Sequence, residues 1–227
     1  MGWGTTTKES NKLIAEGRLE NIAISEENMK VLELVKLSMV DKIGLTALRM
    51  MTKAVLDDFW EVLIRIGASK TGRYHHVHEN IIPGGLINHK LRGIWYLEHF
   101  IIEEGIKDRT MIDNLHSAMD IHDIGKIYYY EPYKSDRPSG SHSGRVDHGK
   151  EAWHILVKRE FPEVICKMVK HHMHHWEFHL PQTNEERIIC YADYFASREE
   201  INIKGCKIIK KKGDRLVFEA PIYKSKV

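Results

Sequence analysis

All 15 histidines of this 227-residue chain fall between His75 and His179. Imidazole is the commonest protein metal ligand and the side chain best suited to moving protons near neutral pH. The chemistry of the chain is therefore expected in this middle stretch. A purification tag would be terminal and contiguous, and these histidines are neither. Several of the segments that carry them show the three-four apolar spacing of amphipathic helices. After the break at Pro83-Gly84-Gly85, one such helix carries Leu86, Ile87, Leu91, Ile94 and Leu97 as its expected buried stripe, with His89 near its start. Met111 to Asp123 reads as the next helix, and further helices are expected near 147–160, 162–175 and 184–198. The polar, glycine-containing stretch 134–146 between them is the kind of loop on which substrates are met.

The flanks read differently. Residues 1–74 hold two amphipathic helices. One is capped by Ser25 and carries Met29, Val31, Leu32, Leu34 and Val35, and the other runs from Thr46 through Leu48, Met51, Val55, Phe59 and Leu63. Their methionines are core-filling residues rather than ligands. Residues 200–227 contain CKIIK and RLVFEA around Lys-Lys-Gly-Asp, a β-hairpin signal. From Ile201 to Val227 eight Lys or Arg face two Asp or Glu, a local charge of +6. The whole chain carries only +2, so the rest is −4. Such a hairpin reads first as a solvated edge whose lysines discourage strand pairing, and second as a contact for a phosphate backbone. The expected organisation is thus a helical extension (1–74), a histidine-bearing helical domain (75–199) and a basic hairpin (200–227).

With 42% hydrophobic and 29% charged residues, the chain has a globular composition, which excludes disorder and collagen-like architecture. No stretch is apolar over a length that would span a membrane, and the opening MGWGTTTKES does not read as a secretory signal. Three cysteines without CxxC spacing (Cys166, Cys190, Cys206) point to a reduced, cytoplasmic setting.

The sharpest motif is His122-Asp123-Ile124-Gly125-Lys126. Adjacent His and Asp side chains can reach one ion where a helix ends, and a carboxylate, with two oxygens, can bridge to a second. Gly125 permits the turn and Lys126 lies within reach of an anionic substrate. Alone, the pair equally fits a helix C-terminus whose histidine meets the dipole. Its company carries more weight: His89 in GGLINH, His148 in DHGKEAW, His171-His172 in KHHMHHW and Asp193 in YADYFASR. From Asp123 the steps to His148, His171 and Asp193 are 25, 23 and 22 residues, one set per consecutive helix.

In this order the motifs resemble the HD superfamily of metal-dependent phosphohydrolases over about residues 75–199. The resemblance implies an all-α, HD-domain helical bundle. It implies a primary metal set of His89, His122, Asp123 and Asp193, with Asp123 bridging to a second ion held by His148 and His171. His172 would be a further ligand or a supporting partner; His171 and His175 could also share a helix face, and the paired histidines of the family pattern favour 171 and 172. The implied cofactors are two divalent transition-metal ions, manganese, iron, nickel or cobalt, with magnesium possible. Asp123, Lys126 and Asp193 are the expected catalytic residues, and Lys126, Arg145 and His142 the expected substrate contacts. The implied reaction is hydrolysis of a phosphodiester in a nucleotide or nucleic acid by a metal-activated water. Among HD enzymes the segments look closest to 3′–5′ exoribonucleases and cyclic-dinucleotide phosphodiesterases. The helical flank is not an oligonucleotide-binding barrel, and no Gly-Tyr-Pro follows the paired histidines. A di-iron oxygenase and a non-catalytic, metal-stapled binding module use the same ligand types and stay open.

Overall fold

Short polar residues start the helices. Asp108 accepts hydrogen bonds from the N–H groups of Thr110 (2.8 Å) and Met111 (3.3 Å) at the head of α4 (Arg109–Ile121). Asp147 accepts from Lys150 N–H (2.7 Å) before α5 (His148–Lys158), and Thr183 from Glu186 N–H (3.2 Å) before α7 (Asn184–Ala196). Each bond satisfies a donor that the first helical turn leaves open. Gly84 enters α3 (Gly85–Glu103) at φ 77°, a left-handed conformation that glycine adopts without cost. α1 (Glu26–Val40), α2 (Thr46–Leu63), α6 (Glu163–His171) and a 3-10 turn (Ile124–Tyr128) complete the helical set. The computed structural model describes residues 26–68, 84–128, 147–173 and 181–197, with the strand backbone at 207–212 and 215–219.

The fold is an all-α bundle built around α4, which touches α1, α2, α3, α6 and α7. This central position explains why Leu115 to Ile121 are all buried, polar members included. Asp113 of α4 reaches back to accept from the N–H groups of Gly44 (2.9 Å) and Leu45 (2.7 Å), tying down the entry to α2. Inside the α2–α4 interface the hydroxyls of Thr52 and Ser117 meet at 2.7 Å. α3 lies along α7, and α5 lies against both α6 and the 3-10 turn. The second of these contacts is very close: a Cβ on Gly125 would stand 2.1 Å from the His148 carbonyl oxygen. At the C-terminal end β1 (Lys207–Lys212) pairs antiparallel with β2 (Arg215–Glu219), and β2 lies against α7.

Two expected stripes are turned from their predicted faces. In α1, Val31 and Leu34 are 53% and 66% exposed, while Lys36 is buried beside Met39 and Val40. The Lys36 ammonium lies between Glu33 and Asp57, 2.8 Å from each, and over the Trp60 ring, so its stem is buried with the charge matched. In α3, Leu91 is exposed and Lys90 takes the core-facing register between Leu86 and Ile94, donating to the Asp120 carbonyl oxygen at 2.8 Å. The helix expected over 162–175 ends at His171. Ser25 and the loop 134–146 lie outside the described residues.

Candidate metal centre

Two histidines are prepared in the same way. His122 follows the last residue of α4 and donates from Nδ1 to the Met119 carbonyl oxygen at 2.7 Å. His172 follows the last residue of α6 and donates from Nδ1 to the Val169 carbonyl oxygen at 2.6 Å. A helix leaves its last carbonyls open, so the ring three residues on can take one and fix its own tautomer. Nε2 is then a bare lone pair pointing away from the helix. His89 comes from the first turns of α3, His148 from the first residue of α5, and Asp193 from the last turn of α7.

These side chains meet in two groups that share one carboxylate. On one side His89 Nε2 lies 2.8 Å from Asp193 Oδ1 and 3.5 Å from Asp123 Oδ2. His122 Nε2 stands 3.2 Å from Asp123 Oδ2 and 3.5 Å from Asp193 Oδ1. On the other side, His148 Nε2, His172 Nε2 and Asp123 Oδ1 form a triangle with sides of 3.1, 3.2 and 3.4 Å. Asp123 therefore turns one oxygen to each group. Neither its Oδ1 nor His122 Nε2 makes a hydrogen bond, though both are buried. A carboxylate oxygen and an imidazole nitrogen buried without hydrogen-bond partners are costly unless a cation sits beside them. The spacing fits one: metal–ligand bonds of ~2.1 Å give ligand–ligand edges of about 3.0 Å in an octahedron and about 3.4 Å in a tetrahedron. The donor set, imidazole with carboxylate, suits first-row transition ions.

A family model described as HD domain matches residues 86–198, the stretch that supplies all of these groups. The chain belongs to the HD superfamily. HD domains are typically metal-dependent hydrolases, and divalent metals are their usual ligands. No curated protein and no solved structure matches the chain.

Electrostatics put much of the HD site in the protonation state that ligands need. Burial pushes His89 down, and burial with the Lys126 ammonium pushes His148 down to about 4, so both rings are neutral at pH 7. Burial works to raise the Asp123 carboxyl, but His122 and Lys126 outweigh it and hold it well below the carboxylate range. Asp193 is held low in the same way by His122 and His89, against the effect of burial. His122 alone moves up, because the Asp123 carboxylate outweighs its burial. An ion entering there competes with a proton, as metal binding to titratable ligands generally does.

Six of the seven residues implied as ligands come together: His89, His122, Asp123, His148, His172 and Asp193. His171 is set apart. Adjacent helical residues point about 100° apart, and with His172 turned to the centre, His171 Nδ1 lies 3.1 Å from the Glu186 carboxylate instead. Lys126 is buried, its ammonium 2.6 Å from Asp123 Oδ2. Arg145, His142 and His175 lie outside the described residues. Three polar groups went unnoticed in the sequence. Glu186 is buried on α7 and accepts from both His171 and Gln182 N–H. Lys90 is fully buried, which lowers its ammonium to about 8, and Asp120 is buried two residues before His122, which raises its carboxyl to about 7. The signal for Lys90 was its place four residues from both Leu86 and Ile94 on a helix otherwise apolar in that register.

Proposed function

We propose that the chain is a binuclear phosphodiesterase or nuclease that hydrolyses a phosphodiester of a nucleotide or nucleic acid. The observation that carries this is the divided carboxylate: Asp123 offers Oδ2 to His89, His122 and Asp193, and Oδ1 to His148 and His172. Divalent cations held by these two groups would supply Lewis acidity toward a phosphoryl oxygen and a water acidic enough to attack near neutral pH. The chain's own residues have separable parts. The Asp193 side chain is 18% exposed, whereas those of His89, His122 and Asp123 are wholly buried, which supports an approach of solvent and substrate from the Asp193 side in this reading. Asp193 is thus the group that orients an incoming water. Lys126 keeps the Asp123 carboxylate ionised and adds positive charge where phosphoryl oxygens arrive. His142 and Arg145 follow the HD motif in sequence and are the substrate contacts of this reading. Cys166 and Cys190 are buried thiols and not disulfide partners, which supports a cytoplasmic setting. Among the described residues no helix is long and apolar enough to cross a membrane.

The test is metal content of protein purified without chelator, followed by hydrolysis of bis-p-nitrophenyl phosphate with Mn²⁺, Co²⁺, Ni²⁺, Fe²⁺ or Mg²⁺. The expected result is two transition ions per chain and metal-dependent turnover. Bound iron with oxygen consumption and no phosphate-ester turnover would replace this reading with a di-iron oxygenase. Bound ions with neither activity would leave a metal-stapled binding module, and no bound metal under any condition would remove the centre itself.

A further inference from the structure

The register of the C-terminal hairpin sorts its residues by charge. The strands pair as Lys207↔Glu219, Ile208↔Phe218, Lys210↔Val217, Lys211↔Leu216 and Lys212↔Arg215, with a bulge between Ile208 and Lys210. Successive strand positions alternate between faces, and paired positions share one. Along β2, Arg215, Val217 and Glu219 therefore mark one face, with Leu216 and Phe218 on the other. Their partners set Lys207, Lys210 and Lys212 on the first face, and Ile208 and Lys211 on the second. Plain alternation through β1 would have put Lys207, Ile209 and Lys211 together and split the lysines between the faces. The extra residue at the bulge gathers three of them with Arg215.

One face of this small sheet thus holds four cationic positions, one acidic one and Val217, over roughly 15 Å at ~3.3 Å per residue. The other holds Ile208, Leu216 and Phe218 with a single lysine. A solvated edge needs only scattered charge, of either sign, to stay unpaired. Gathering one sign on one face, in a chain whose remainder is −4, describes a polyanion contact more closely. A membrane-surface element would present several apolar residues beside its cations, and here Val217 alone shares the cationic face while Ile208, Leu216 and Phe218 take the other. β2 also lies against α7, the helix that supplies Asp193.

We infer that the face formed by Lys207, Lys210, Lys212 and Arg215 is a contact surface for the phosphate backbone of a single-stranded nucleic acid, attached to the helix that carries Asp193. This rests on the phosphodiesterase reading above for the use of the bound strand, and on charge and register for the binding itself. The probe is a labelled 20-nucleotide oligothymidylate, with binding to metal-loaded, full-length protein read by initial fluorescence anisotropy across 50–300 mM NaCl. Each cation that meets a phosphate contributes about 0.7 to the slope of log K against log salt for single strands. Changing all four residues to Gln is expected to lower that slope by about 3 and the affinity at 0.1 M salt by about a hundredfold. A control with Lys30, Lys107, Lys158 and Lys167 changed to Gln removes the same charge from exposed positions elsewhere and is expected to bind within about twofold of the parent. Replacing the three hairpin lysines by Arg keeps the charge and is expected to retain the affinity, which separates a lost contact from a lost fold. Equal weakening by the hairpin and control sets would show bulk electrostatics and overturn the inference. So would parental binding in the hairpin variant, or binding to phosphatidylserine vesicles but not to the oligonucleotide. Hairpin-dependent binding without cleavage of any strand would uphold this surface and remove the nucleic-acid substrate from the reading above, while no turnover of bis-p-nitrophenyl phosphate either would remove the hydrolase reading itself. Cleavage with one affinity throughout would uphold that substrate and overturn this surface.

Discussion

A single methyl group placed between α5 and α6 is expected to separate functionally the two candidate metal positions of the proposed centre. Gly149 follows His148, and a Cβ there would stand 2.7 Å from the Lys170 carbonyl oxygen and 3.2 Å from that of Val169. Ordinary contact begins at 3.4 Å, so Gly149→Ala must part the two helices by 3.4 − 2.7, about 0.7 Å, against backbone that has no rotamer to change. Overpacking of this kind costs about 1–3 kcal/mol of stability. His148 moves with α5 and His172 with the end of α6, so their Nε2–Nε2 separation of 3.2 Å would open toward about 3.9 Å if the whole shift fell there. That exceeds the ~3.4 Å tetrahedral edge, and a loss of about 1.4 kcal/mol or more in ion binding is at least tenfold in affinity. His89, His122 and Asp193 sit on other elements and keep their spacing. Calorimetric titration of the apoprotein with Mn²⁺ should then show one site at parental affinity and one at least tenfold weaker, with a modest drop in melting temperature. Gly93→Ala on α3 is the control, because its Cβ meets only the flexible end of Met119. Two sites of parental affinity in Gly149→Ala, or equal weakening of both, would refute the reasoning.

The other predictions are shorter. Asp123→Ala removes the carboxylate common to both groups and should abolish metal binding and turnover together, whereas His148→Ala should cost chiefly one ion, both read by elemental analysis and ester hydrolysis. His172→Ala should lose the same ion as His148→Ala, while His171→Ala should keep two ions and lose only about 1–3 kcal/mol of stability through the buried Glu186 carboxylate it leaves short of a partner. His116 is buried and pushed down to about 4 by desolvation, below its ordinary 6.5. The unfolded chain therefore takes up its proton first as pH falls, and stability is lost between about pH 6.5 and 4, by about 3 kcal/mol for this group. Urea titrations of His116→Phe across that window should show a correspondingly flatter pH profile than the parent. Thr52→Val strands the Ser117 hydroxyl between α2 and α4 and should cost about 1–3 kcal/mol in urea, part of which Thr52→Val/Ser117→Ala should recover.

Local signals made much of this protein legible before any coordinates. The apolar spacing of α2 and α3 depends on residues within one or two turns of each other, so these helices could be read from the sequence in order. The family pattern then named six residues that the fold does bring together, because its spacing of one set per helix survives in the chain. What local pattern could not supply is rotation. Which of two adjacent histidines faces the centre depends on how α6 turns against α4 and α5. That rotation goes with a close backbone approach of α5 to α6 at Gly149, which a sequence does not display. The same holds for Lys36 and Lys90, whose burial requires partners 21 and 30 residues away, at Asp57 and Asp120. Charge in the hairpin was visible as a count, yet its gathering on one face comes from the bulge, a property of strand pairing. By itself the sequence determined the helices, the ligand types and their order, since these follow from short-range spacing. Tertiary structure alone decided which lone pairs converge and that Asp123 divides its oxygens between two groups, because distances of about 3 Å between atoms on different helices exist only once the bundle has packed.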